Sequence, residues 1–176
     1  MTSTHDAAHP GWDRVSEPHE EGVVFSAAGE GAFEPLGAPG DEMRILVDGS
    51  QTRDMLALIE QQIVPGAKGP GVHWHRGYDE LFYVVSGSLG TLAGREKRIC
   101  EPRDFIFVPR GVIHSFFNPS DTEPCRFISA WSPPGNEQIF AQAHALHQRG
   151  ASQEELFELL GTLDIDVVFV ENQELP

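Results

Sequence analysis

Cysteine is nearly absent: Cys100 and Cys125 are the two in a chain of 176 residues. One pair in a chain of this length is no disulfide framework, so two free thiols in a reducing cytoplasm are expected. Basic residues are also scarce, with 12 Lys and Arg against 27 Asp and Glu, a net charge of −15. A surface so acidic repels a phosphate backbone and an anionic bilayer, so neither nucleic acid nor membrane is an expected partner. The acid otherwise serves solubility. No apolar run approaches the roughly 18 residues of a membrane span. The first residues, MTSTHDAAHPGWDRVSEPHEEG, hold no basic segment followed by an apolar one, so no secretory leader is expected.

What is abundant is punctuation. There are 18 glycines and 13 prolines in a composition that is 40% hydrophobic. That favours many turns and short strands, and the length suits one domain with its own core. Residues 1–22 are polar and aperiodic and read as a loose arm carrying His5, His9 and His19. Residues 23–42 read as one short strand followed by turns. From residue 43, MRILVDG, DMLALIEQQIV, DELFYVVSGSLGTLAG, KRICEP, DFIFVP, HSFFNP and CRFISAWSPPG are apolar runs of strand length. Gly, Pro, Asn and Asp separate them, the signature of an all-β sandwich or barrel over residues 23–135. After Pro133-Pro134-Gly135 the pattern changes. Ile139, Ala143 and Leu146 fall at helical spacing, and Gly150 ends that run. Ser152 and Glu155 form a capping box opening a second helix with Leu156, Leu159 and Leu160 as its apolar face. IDVVFVE then reads as a strand, so residues 136–176 form a tail on the β core.

The residues that carry chemistry lie in GVHWHRGYDELFYVVSG, from residue 71. His73 and His75 are two apart, and in a strand such side chains share a face. On a helix the same spacing would splay them by about 200°. Trp74 must therefore point the other way. Glu80 opens the next apolar run, close enough to return beside the pair through the turn at Gly77. His114 opens another strand-like run after a Pro109/Gly111 turn, and periodicity alone does not bring it to the other three. His144 and His147, on the first tail helix, read as surface or packing residues.

These motifs resemble those of the cupins. The first cupin motif is Gly, five residues, His-x-His, three or four residues, Glu, six residues, Gly. Here His73-Trp-His75, four residues, Glu80, six residues and Gly87 match it. Ala67 stands where the leading glycine belongs, with Gly66 one residue upstream. The second motif, Gly, five residues, Pro-x-Gly, two residues, His, three residues, Asn, is met by Pro109-Arg-Gly111, His114 and Asn118, with Arg103 replacing its first glycine. The short stretch between the motifs, and the helical tail with its closing strand, resemble small bacterial single-domain cupins of the flavonoid-dioxygenase-like kind. The resemblance implies a double-stranded β-helix, or jelly-roll barrel, with a short helical tail. It implies one divalent transition metal per chain, held by His73, His75, Glu80 and His114. Three imidazoles and one carboxylate suit Fe, Mn, Ni, Co or Zn and leave positions open for substrate. It also implies pairing into a homodimer, for which residues 23–47 are the candidate segment.

Strand parity then sets the lining. With Glu80 inward, Phe82 and Val84 follow it; with His114 inward, so do Phe116 and Asn118. Phe127, Ser129 and Trp131 share a face, as do Met55, Ala57 and Ile59. Between residues 104 and 108, either Phe105 and Phe107 or Ile106 and Val108 face in. Phe82, Phe105, Phe107, Phe116 and Trp131 are thus the candidate lining of a pocket for a small, flat, partly apolar molecule. The expected activity is a metal-dependent dioxygenase acting on an enolic, phenolic or flavonol-like substrate, with dioxygen as co-substrate and Glu80 as ligand, base or both. An isomerase, cyclase or dehydratase of a polyketide-like or sugar-like substrate is the alternative. A non-catalytic small-molecule binder is the second alternative.

Overall fold

The computed structural model describes residues 17, 20, 22–33, 39–152, 155 and 167–169. Most of the N-terminal arm, the second tail helix and its leucines lie outside these. Among the described residues ten strands and one helix follow in order: β1 (Glu42–Val47), β2 (Ala57–Ile63), β3 (His73–His75), β4 (Asp79–Ser86), β5 (Leu89–Ala93), β6 (Glu96–Cys100), β7 (Phe105–Val108), β8 (His114–Phe117), β9 (Cys125–Ser132), α1 (Asn136–Gln148) and β10 (Val167–Phe169). They pair into two five-stranded sheets, ordered β1-β2-β9-β4-β7 and β10-β3-β8-β5-β6. Every pairing is antiparallel. The all-β architecture expected from the spacing of the apolar runs, and the jelly roll that the resemblance implied, are the fold observed.

Alternation in the sequence becomes alternation of burial. Ala57, Ile59, Gln61 and Ile63 of β2 are buried, and the residues between them are half-buried. Glu80, Phe82 and Val84 of β4 point inward, as do Phe127, Ser129 and Trp131 of β9. Two apolar clusters result. One holds Phe82, Phe116 and Phe127 with Val84, Leu89 and Val108. The other holds Met43, Ala57, Ile59, Tyr78 and Trp131, with Phe140 of α1 against it. A buried hydrogen bond of 3.0 Å from Gln61 Nε2 to Ser129 Oγ adds polar content that the sequence reading did not anticipate.

Some details differ from expectation. No strand forms over the described residues of 22–41 beyond a single bridge from Phe33 to Met43. Val23 and Phe25 are exposed, and among the described residues no strand pairs with them. Met55 precedes β2 and is partly exposed, so it does not join Ala57 and Ile59 inside. Arg103, in place of a glycine, takes the left-handed conformation itself, with φ 83°. Its N–H donates to Val84 O at 2.9 Å and ties the turn to β4, while Asp104 N–H to Glu101 O at 2.9 Å closes the turn itself. Before β3 the freedom resides in Gly66 and Gly69, with φ 70° and 61°. At Gly69 a Cβ would meet Phe116 O at 2.0 Å, so no other residue fits. Helix α1 ends as expected: Gly150 has φ 74° and Ala151 N–H reaches back to Leu146 O at 3.1 Å. Ser152 and Glu155 exchange the hydrogen bonds of the capping box.

Candidate metal centre

Three strands and one turn assemble the site. His73 and His75 sit at the two ends of β3 and both point inward, while Trp74 between them faces out beneath the Arg76 guanidinium at 5.6 Å. β8 pairs with β3 so that His114 lies opposite His73. Glu80 comes from β4 in the other sheet. The turn Pro109-Arg110-Gly111 draws these elements together. Gly111 N–H donates to His75 O at 2.8 Å. Arg110 donates to both carboxylate oxygens of Asp79, each at 3.1 Å from the side chain, and its backbone N–H adds a third bond at 2.9 Å. The guanidinium holds the Asp79 carboxyl below its ordinary range. The sequence reading did not single out Asp79 or Arg110. The signal lay in their positions, one before Glu80 and one inside the Pro-x-Gly turn.

His73, His75, Glu80 and His114 are all buried, and their donor atoms lie within 4.8 Å of one another. His73 Nδ1 donates to Gly71 O at 2.7 Å and His114 Nδ1 donates to Val112 O at 3.0 Å. These bonds orient the two rings and turn both Nε2 atoms inward. Glu80 Oε2 lies 2.9 Å from His75 Nε2 and 2.8 Å from His114 Nε2. Nitrogen and carboxylate lone pairs at such range repel unless a cation lies among them, either ring protons or a metal ion. Burial and the neighbouring His114 push His73 down to about 4, so its ring is neutral and free to donate a lone pair. Burial pushes Glu80 up, but the hydrogen bonds from His114 and His75 outweigh it and hold the carboxyl at about 2. Three imidazoles and one ionised carboxylate in a dry cluster fit a divalent transition metal, with both cysteines elsewhere.

Family relationships agree with this geometry. The family described as the cupin domain matches residues 59–131, which span β2 to β9 and contain all four of these residues. This stretch of the chain is a cupin domain. Among curated relatives of the chain is the quercetin 2,3-dioxygenase of Escherichia coli (strain K12), 25% identical over 87 residues, which cover 48% of this chain and 38% of that protein. The match thus spans well under half the length of that relative. Solved structures with the same fold include KdgF from Halomonas sp., at 22% identity and a TM-score of 0.57, covering 67% of this chain and 99% of that one. An RmlC-like cupin from Shewanella frigidimarina NCIMB 400 has 24% identity and a TM-score of 0.55, covering 65% and 94% respectively.

The expected lining is only partly inside. Phe82, Phe116 and Trp131 are buried. Phe82 and Phe116 pack edge-on at 5.5 Å, and Phe82 lies 6.4 Å from the His114 ring. Trp131 is the register partner of Glu80, stacks on Phe140 at 6.1 Å, and buries an indole N–H that has no hydrogen-bond partner among the described residues. Phe105 and Phe107 do not line the interior. Their register partners Tyr83 and Leu81 are the outward residues of β4, so Ile106 and Val108 take the inner face and the two phenylalanines lie 60% and 54% exposed. Tyr78, which the sequence reading passed over as part of a turn, is buried and stacks on His75 at 4.2 Å. His144 packs on Phe33, in keeping with its expected structural role.

Proposed function

We propose that this cupin is a mononuclear metal-dependent enzyme, and that it is a dioxygenase of an enolic, phenolic or flavonol-like small molecule. The observation that carries the proposal is that three buried imidazoles and the Glu80 carboxylate bring one candidate ligand atom each within 4.8 Å of one another. His73, His75, Glu80 and His114 would hold the ion, one of Fe, Mn, Ni, Co or Zn. When bound, the ion would supply a Lewis-acid centre for a substrate oxygen and an open position for dioxygen. Glu80 is ionised throughout the physiological range and can take the proton of an acidic enol or phenol hydroxyl as that oxygen approaches. Phe82 and Phe116 bound the site with apolar surface and keep water from the reacting carbon. The similarity to a quercetin 2,3-dioxygenase supports the dioxygenase reading over the isomerase or cyclase alternative.

The test is oxygen uptake by purified protein loaded with each metal in turn, against a panel of enols, catechols and flavonols. Uptake matched to substrate loss, and abolished in His114→Ala, is the expected result. Absence of uptake across the panel would overturn the dioxygenase. Turnover under anaerobic conditions would replace it with Lewis-acid isomerisation or cyclisation.

A further inference from the structure

The four candidate ligands are divided between the sheets. Glu80 stands in one, and His73, His75 and His114 stand in the other. Strands within a sheet are held about 4.8 Å apart by their ladder, but no ladder joins two stacked sheets. The spacing of Glu80 from the histidines therefore depends on what crosses between the sheets. Beside the cluster the chain crosses twice, at residues 76–78 from β3 to β4 and at residues 109–113 from β7 to β8. The second crossing leaves Val108, the register partner of Glu80, and enters β8 at His114. Three consecutive residues in it each reach a different part of the cluster. Arg110 N–H donates to Asp79 Oδ1 at 2.9 Å, next to Glu80. Gly111 N–H donates to His75 O at 2.8 Å. Val112 O lies 3.0 Å from His114 Nδ1.

The Arg110 side chain strengthens this crossing where it meets β4. Its Nε and Nη2 donate to the two Asp79 oxygens, each at 3.1 Å, and Nη2 also reaches Ser132 O at 3.4 Å. Asp79 and Ser132 are register partners at the ends of β4 and β9. The guanidinium thus grips two strands of Glu80's sheet from the turn that leads to His114. A two-pronged pair fixes direction as well as distance, which the point charge of a lysine does not. The Arg110 and Asp79 side chains are 49% and 28% exposed, so the pair adds little to the stability of the whole fold. Its effect falls instead on where the neighbouring Glu80 stands. We propose that Arg110 is a positioning residue of the metal centre. Acting through Asp79, it sets the distance of the Glu80 carboxylate from the three imidazoles, and so whether Glu80 joins them on the ion. Neither Arg110 nor Asp79 is one of the four candidate ligands. The inference rests on the metal reading given above.

Titration of the metal-free full chain with cobalt(II) tests this, because the visible band of bound cobalt follows its ligand set as well as its occupancy. Arg110→Ala is expected to bind cobalt roughly tenfold more weakly than the wild type, with an altered band. The melting temperature of the metal-free variant stays close to that of the wild type. Arg110→Lys keeps the charge without the two-pronged donor, and its affinity falls between the two. Asp79→Asn breaks the ion pair from the other strand and shifts the band in the same direction as Arg110→Ala. Arg98→Ala, which removes the exposed pair with Glu96 on the β5–β6 hairpin, binds cobalt as the wild type does. Wild-type affinity and band in Arg110→Ala would overturn the inference and leave the metal centre standing. Affinity that falls only in step with melting temperature across the variants would also overturn it, since Arg110 would then serve the fold alone. A wild type that binds no cobalt would remove the metal reading, and this inference with it. Where Arg110→Ala fails to fold, Asp79→Asn decides: an altered band supports the positioning role, and an unaltered band overturns it.

Discussion

The three imidazoles are held by different means. His73 and His114 each spend one ring nitrogen on a backbone carbonyl, whereas His75 Nδ1 is buried with no hydrogen-bond partner among the described residues. What fixes the His75 ring is Tyr78, stacked at an interplanar angle of 28°. Outer contacts of this kind commonly govern metal affinity by 10–100-fold. Tyr78→Ala is therefore expected to weaken metal binding by roughly tenfold, while Tyr78→Phe keeps the stack and stays within about threefold. Competition with a chelating dye measures both. Of the candidate ligands, His73 and His75 were legible in the sequence through period-2 geometry, and the full set with Glu80 and His114 through the resemblance of the motifs. Tyr78 was not, since a tyrosine in a turn carries no period. Phe105 and Phe107 were undecided for a related reason: with apolar residues at all four positions of FIFV, parity has nothing to distinguish the two faces.

At the level of elements, Gly and Pro marked the strand boundaries well because each breaks backbone pairing wherever it falls. The segment Val23–Phe25 has strand propensity but no neighbouring strand among the described residues, and propensity without pairing does not make a strand. Helix α1 was legible in its period and its Gly150 stop, but its anchor was not. Glu137 is 1% exposed, accepts from Gly135 N–H at 2.7 Å, and accepts from Gly49 N–H in the β1–β2 turn at 3.3 Å. A glutamate at a helix start reads as an exposed charge favoured by the helix dipole, and only the fold shows it buried. Glu137→Ala leaves two backbone donors unsatisfied and should cost about 2–3 kcal/mol. A thermal melt should show this as a fall of about 4–12 °C, with metal stoichiometry unchanged.

For the molecule as a whole, placing the site inside the barrel ties its ionisation to folding. His73 is held near 4 in the fold, against 6.5 in the unfolded chain. Between those values the unfolded chain binds a proton that the folded one refuses, so stability falls as pH drops through that window. Glu80, held near 2 against 4.5, adds a further loss below about pH 4.5. Urea titrations of metal-free protein should show a loss on the order of 3 kcal/mol between pH 7 and pH 4. A flat profile would mean that the cluster is not closed to solvent. The acidic composition that excluded nucleic acid says nothing about this, because the relevant carboxylate and imidazoles are internal. One pairing sets the order of assembly. β3 lies between β8 and β10, and Val167, Val168 and Phe169 hydrogen-bond along His75, Trp74 and His73. On the ribosome, the strand carrying His73 and His75 emerges about 90 residues before its partner, a separation that makes such pairing slow. A nascent chain can therefore gather all four candidate ligands while this strand still has one bare edge.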